Sequence, residues 1–299
     1  MSTLFLFGAG ASFGSGPCHP NNPPLGWDLF AELRKRPGVA ATASEELAAV
    51  FAKDFEEGMD QFLHTRNVDA SALLRDMAAY FATFEPLDGN LYFEIIKLVG
   101  GDRKKAIFAT ANYDLLFELA VCASGLTVSY TTDVDRGSIP VLKIHGSCNF
   151  LPPRDLDIRG IGFVQPPEAT AAIVDAPAYV ATSTRQVLEF CESGTALAPA
   201  IALYHSSKRV LYCPDIVRRQ QEQFLASISA ASRIFVIGLR VHPSDSHIWT
   251  PLARAKAPLY YVGKKVDLDR WKEEGQKHNA FWLAETFENA IPKIRALLP

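Results

Sequence analysis

The chain lacks the features that mark several broad classes of protein. It has no CxxC pair, and its five cysteines (Cys18, Cys122, Cys148, Cys191 and Cys213) are scattered and odd in number. That spacing builds neither a disulfide framework nor a zinc ribbon. It has no basic excess, since 30 Lys and Arg face 33 Asp and Glu for a net charge of −3. Nucleic-acid binders usually carry a basic excess, so no direct nucleic-acid binding is expected. No apolar run approaches the roughly 20 residues that a bilayer-spanning helix needs. Leu4-Phe5-Leu6-Phe7 is too short for a signal-peptide core and has no basic flank before it. No internal repeat or low-complexity tail is present. The expectation is a cytoplasmic protein without membrane contact.

What is there reads as globular. Of the 299 residues, 48% are hydrophobic and 21% charged, close to the average for folded domains. Short apolar runs that suit buried parallel strands lie at Thr3–Phe7, Ala106–Thr110, Val141–Ile144, Val210–Cys213, Ile234–Gly238, Leu259–Val262 and Phe281–Leu283. Helical spacing follows most of them: Leu115–Ala123 after the second, Glu222, Leu225 and Ile228 later, and Ile291, Ile294 and Leu298 at the end. Such alternation predicts an α/β fold, a Rossmann-like and mostly parallel sheet with helices on both faces. Two stretches interrupt it. Trp27–Gly100 carries no strand signal and reads as three or four helices, with Asp69 as an N-cap and Leu73, Met77, Tyr80 and Phe84 along one apolar face. Phe150–Tyr204 is proline-rich and irregular. The organisation expected is one domain over 1–299, with its core at about 1–26, 101–149 and 205–299 and insertions at about 27–100 and 150–204.

Three strand ends carry chemistry. Gly8-Ala9-Gly10-Ala11-Ser12-Phe13-Gly14 follows the first strand, where glycines permit a tight turn and let backbone N–H groups approach a pyrophosphate. Its last glycine falls one place later than in the standard dinucleotide fingerprint. Thr110-Ala111-Asn112-Tyr113-Asp114 ends the second strand, and Leu142-Lys143-Ile144-His145-Gly146-Ser147 ends the third. Open α/β sheets bind their ligands at such carboxyl ends.

In this order the motifs resemble the sirtuin-like family, whose pattern reads GAGxS, then T-x-N-Y-D, then HG. Phe235-Val236-Ile237-Gly238-Leu239, with Pro243-Ser244-Asp245-Ser246-His247-Ile248 after it, is similar to that family's later strand and turn. The protein deacylases of the family carry a G-I-P-D-F-R loop and a four-cysteine zinc module. Here the loop reads Ser15-Gly16-Pro17-Cys18-His19-Pro20, the zinc cysteines are missing, and Gly263-Lys264 stands where deacylases often place Asn beside the adenosine. The pattern resembles that of bacterial sirtuin-like NAD hydrolases, many of them effectors of anti-phage defence. The resemblance implies an enzyme that cleaves NAD to nicotinamide and ADP-ribose. It assigns cofactor contacts to Gly8, Ala9, Gly10, Ser12, Asp114, Gly238, Leu239 and Asp245, with Asp114 accepting from the nicotinamide amide. A non-catalytic NAD or ADP-ribose sensor, or a deacylase or ADP-ribosyltransferase, are the alternatives.

Nicotinamide leaves NAD from a pyridinium cation, so the enzyme's work is positioning and electrostatic stabilisation of an oxocarbenium-like transition state. Asn112 suits a ribose hydroxyl or the attacking water, because an amide both donates and accepts. His145 suits the proton transfer, since an imidazole titrates near neutral pH. These two are the expected catalytic residues, NAD is the substrate, and no metal is expected. His242, Asp245 and His247 are read as the turn under the adenosine rather than as a metal site. Cys148 has nothing beside it that would make a thiolate, and Lys208-Arg209 with Arg218-Arg219 read as a solvated face. A hydrolase of NAD is expected to be gated, and no sensor fused within these 299 residues is expected. The expectation is a homo-oligomer working with a separately encoded sensor, ATPase or Argonaute-like partner. Its contact surface would be the helical stretch Trp27–Gly100, rich in large apolar residues (Phe55, Phe62, Phe81, Phe84 and Phe93).

Overall fold

Ser2–Phe7 (β1) forms the middle of the sheet, because Leu4, Phe5, Leu6 and Phe7 present apolar side chains to both faces and have to be covered. In the computed structural model, which describes residues 2–64, 70–100, 106–135, 137–153, 163–164, 173–202, 210–275 and 277–298, six further strands join it. They are Ala106–Thr110 (β2), Thr127–Ser129 (β3), Ser138–Lys143 (β4), Ala231–Ile237 (β5), Leu259–Val262 (β6) and Ala280–Ala284 (β7). All pair in parallel, in the order β7-β6-β5-β1-β2-β4-β3. This is the parallel α/β sheet that the apolar runs imply.

Successive side chains of a strand point to opposite faces, so β1 feeds two cores. Leu4 and Leu6 pack with Phe224 and Ile228 of Pro214–Ala230 (α9), Ile248, Trp249 and Leu252 of Ser246–Arg254 (α10), and Leu268 and Trp271 of Lys265–Gly275 (α11). Phe5 and Phe7 face Tyr92, Ile95 and Ile96 of Leu91–Val99 (α6), Leu116 and Phe117 of Leu116–Ala123 (α7), and Phe287 and Ile294 of Phe287–Leu297 (α12). Phe5 lies stacked between Phe108 and Phe235, with ring centroids 5.0 and 5.1 Å away. Among the described residues no helix is long and apolar enough to cross a membrane.

The structure departs from the sequence reading in four places. Val210–Cys213 is not a strand: Val210 and Tyr212 make single bridges to Ala202 and Val174. Cys213, in left-handed backbone, leads directly into Pro214 and α9. The edge strand β3 was not anticipated, because three residues reading Thr-Val-Ser carry too little apolar signal. The 27–100 stretch has five helices among its described residues: α6, Gly26–Arg34 (α2), Glu45–Lys53 (α3), Phe55–His64 (α4) and Ala70–Phe81 (α5). It also contains a short pairing of Glu85–Pro86 with Cys18–His19. Finally, Phe55, Phe62, Phe81 and Phe84 are buried in the chain's own core and Phe93 packs against it, so they form no open contact surface. Leu73, Met77 and Tyr80 do line the buried face of α5, and Phe84 is buried just beyond it. Asp69, Pro166, Pro167, Lys208 and Arg209 lie outside the described residues.

From β1 the chain builds β2, β3 and β4 to one side, then crosses back through α9 to place β5 on the other side of β1. The strand order therefore reverses between β1 and β5. Open α/β sheets take their ligands at the carboxyl ends beside such a switch point.

Candidate active site

The turn after β1 and the turn after β5 lock together. Gly8 N donates to Ile237 O at 2.9 Å and Gly10 N to Gly238 O at 2.8 Å. Gly238 has φ of 66°, and a Cβ there would sit 2.0 Å from Ala11 N. Only glycine lets the two backbones close to this distance. Ala9–Phe13 (α1) then begins at this turn, with Ala9 exposed and Gly10 half-buried.

Asn112 is held over this turn. Thr110 Oγ1 accepts from Asn112 N at 3.0 Å, which explains the threonine at the end of β2. The Asn112 amide donates to Gly8 O at 3.0 Å and to Ser12 Oγ at 2.9 Å, so residues about 100 positions apart are joined directly. Its Oδ1 takes no part in either bond. Ser12 Oγ also meets Tyr92 Oη at 2.9 Å, tying α6 to the same group. Asp114 sits beneath, nearly buried, with Oδ1 accepting from Leu116 N at 3.0 Å. Burial pushes its carboxyl up, opposed by the Lys143 cation. Asp114 thus shapes the entry to α7, and any contact with nicotinamide is a proposal.

Lys143 is wholly buried, although it stands in an otherwise apolar strand. Its Nζ donates to Asp114 O at 2.6 Å and lies 2.9 Å from Glu118 Oε1. Burial raises the Glu118 carboxyl and the adjacent ammonium lowers it. The lysine therefore anchors the 111–114 segment from below.

His145 follows β4 and is 2% exposed. Its Nε2 lies 2.9 Å from His247 Nε2 and 3.6 Å from Asp245 Oδ1. Gly146 is required next to it. Its φ is 81°, and a Cβ would meet Ala200 O at 2.0 Å, where the 173–202 segment, which holds Thr184–Cys191 (α8), pairs with the strand end through Ala202 N to His145 O at 2.8 Å. Asp245 therefore gathers with His145 and His247, while His242 turns aside to Ser244 Oγ at 2.7 Å.

The predicted residues thus fall into three linked groups: Gly8 and Gly10 against Gly238 and Leu239, Asn112 with Ser12, and His145 with Asp245. Leu239 is buried, its Cα being the nearest atom to where a Gly8 Cβ would stand. Sequence reasoning missed Tyr92, the Lys143–Glu118 pair, and His247 as the partner of His145. A lysine inside an apolar strand was the one available signal for the pair. Cys148 is buried and its thiol is raised well above the usual range, which agrees with its exclusion as a nucleophile. Arg218 is exposed and pairs with Asp215 and Glu222, as a solvated face requires.

No protein-family model matches the chain, and no curated protein does. Solved structures do. A Sir2 homologue in complex with NAD is 15% identical, with 100% of this chain and 91% of that chain covered at a TM-score of 0.48. A Sir2–p53 peptide–NAD+ structure is 15% identical, covering 99% of this chain and 92% of that one at a TM-score of 0.46. Sir2 with the inhibitor EX-527, 2′-O-acetyl-ADP-ribose and a deacetylated p53 peptide is 16% identical, with the same coverage and TM-score.

Proposed function

We propose that this chain is a NAD glycohydrolase that releases nicotinamide and ADP-ribose. The observation that carries the reading is the Asn112 amide bonded to both Gly8 O and Ser12 Oγ at the carboxyl ends of β1 and β2. It joins a phosphate-type glycine turn to a rigid polar side chain at the sheet's switch point, the place where such sheets take dinucleotides. The glycine turn would receive the pyrophosphate, and Asn112 Oδ1 would accept from a ribose hydroxyl or the attacking water.

Breaking the bond between C1′ and the nicotinamide nitrogen returns its electron pair to the ring, which leaves neutral. Water oxygen bonds to C1′, and the water proton passes to the imidazole pair His145–His247. The 2.9 Å between their Nε2 atoms lets one N–H be shared, and His247, half-buried, is the more open of the two rings. No acid is needed at the leaving group, so positioning and proton removal carry the rate. By the motif resemblance, the biological setting proposed is defence against phage.

Purified protein incubated with NAD should release nicotinamide, measured by chromatography. Asn112→Ala and His145→Ala should each lower kcat by about 10²–10³-fold while cooperative unfolding is retained. Wild-type rates in both variants would refute the assignment. NAD binding without nicotinamide release would instead identify a binding module.

A further inference from the structure

The parallel order of the sheet sets β1 and β2 between β4 and β5. Three strand spacings of about 4.8 Å therefore separate the end of β4 from the end of β5, roughly 14 Å. The turn after β5 nevertheless reaches His145. Across that distance, His145, Asp245 and His247 bring one nitrogen, one carboxylate oxygen and one nitrogen within 4.8 Å of one another. Two imidazoles and a carboxylate are a common donor set for a first-row divalent ion, and for zinc with an open position in particular.

The spacing fits. Two ligands at about 2.05 Å from a tetrahedral zinc lie about 3.3 Å apart. The separations are 2.9 Å from His145 Nε2 to His247 Nε2 and 3.6 Å from His145 Nε2 to Asp245 Oδ1, on either side of that value. His145 and Asp245 are buried and His247 is half-buried, so the donors are already gathered in a poorly hydrated place with one side nearer solvent. His242, three residues before Asp245, is held by Ser244 and is not part of the set.

We propose that His145, Asp245 and His247 form a binding site for a divalent transition-metal ion of the zinc class. Such an ion takes up the Nε2 lone pairs of both imidazoles. Occupancy therefore inhibits NAD cleavage, a consequence that rests on the hydrolase reading; the metal site itself does not.

The test is titration of EDTA-treated, dialysed protein with CoCl2, read by visible ligand-field absorption and thermal unfolding, without NAD. One Co2+ per chain should bind, raise the Tm, and be displaced by ZnCl2. Asp245→Ala, His247→Ala and the milder His247→Gln should weaken binding more than about 10-fold, and His242→Ala should leave it unchanged. Absence of Co2+ bands, or wild-type binding in both His247 variants, overturns the site. Nicotinamide release is measured separately with and without ZnCl2. Protein that binds Co2+ but never cleaves NAD keeps the metal site and loses the hydrolase. Protein that cleaves NAD but binds no Co2+ does the reverse.

Discussion

Replacing Lys143 by Met tests whether the buried ion pair supports the site. The lysine has no exposed surface and Glu118 is 7% exposed in its side chain, so neither charge has water to fall back on. Removing the ammonium strands the Glu118 carboxylate and takes a donor from Asp114 O. Breaking a buried pair in this way costs about 3–5 kcal/mol. The loss should depend on pH. Burial already raises Glu118 above its ordinary value of 4.5, and without the lysine the two largest influences that oppose the rise are gone. A carboxyl raised in the folded state contributes stability below its unfolded pKa and loses it as pH rises through the folded pKa. Moving from pH 7 to pH 5 should therefore return part of the lost stability relative to wild type. The double variant Lys143→Met/Glu118→Leu, with no charge left to strand, should be more stable than Lys143→Met alone. Urea unfolding of the three proteins at both pH values measures this. A double variant no more stable than Lys143→Met, together with a pH-independent loss, would refute the reasoning.

Two other outcomes follow from the packing. Gly238→Ala puts a Cβ 2.0 Å from Ala11 N at a φ of 66°, so the two turns must separate. Stability should fall by more than the roughly 1–2 kcal/mol of the left-handed conformation alone, and NAD affinity measured by calorimetry should fall with it. An unchanged Tm would show that the turns are not locked. Phe5→Ala removes the ring between Phe108 and Phe235 and should cost about 3–5 kcal/mol in denaturant unfolding. A loss under 1 kcal/mol would mean that the sheet centre collapses to fill the gap.

The sheet was legible in the sequence because β1, β2, β5 and β6 are apolar on both faces, as the strands of a doubly covered parallel sheet are, and because helical spacing follows most of these runs. Gly8, Asn112 and His145 were legible as candidates because each stands where an apolar run stops. Val210–Cys213 misled for the same reason in reverse: four mostly apolar residues read alike whether they pair in a sheet or bury against a loop. What local pattern cannot hold is contact across the fold. The Asn112 amide finds Gly8 and Ser12 because β1 and β2 pair in register, Phe7 beside Thr110. His247 meets His145 only after α9 has carried the chain back over β1. The phenylalanines of 27–100 read as surplus along the chain, and the chain's own packing buried or covered all five named for a contact surface. Apolar content is a property of the chain. Which apolar surface stays open is decided when the layers close, because burial depends on what arrives from elsewhere in the fold.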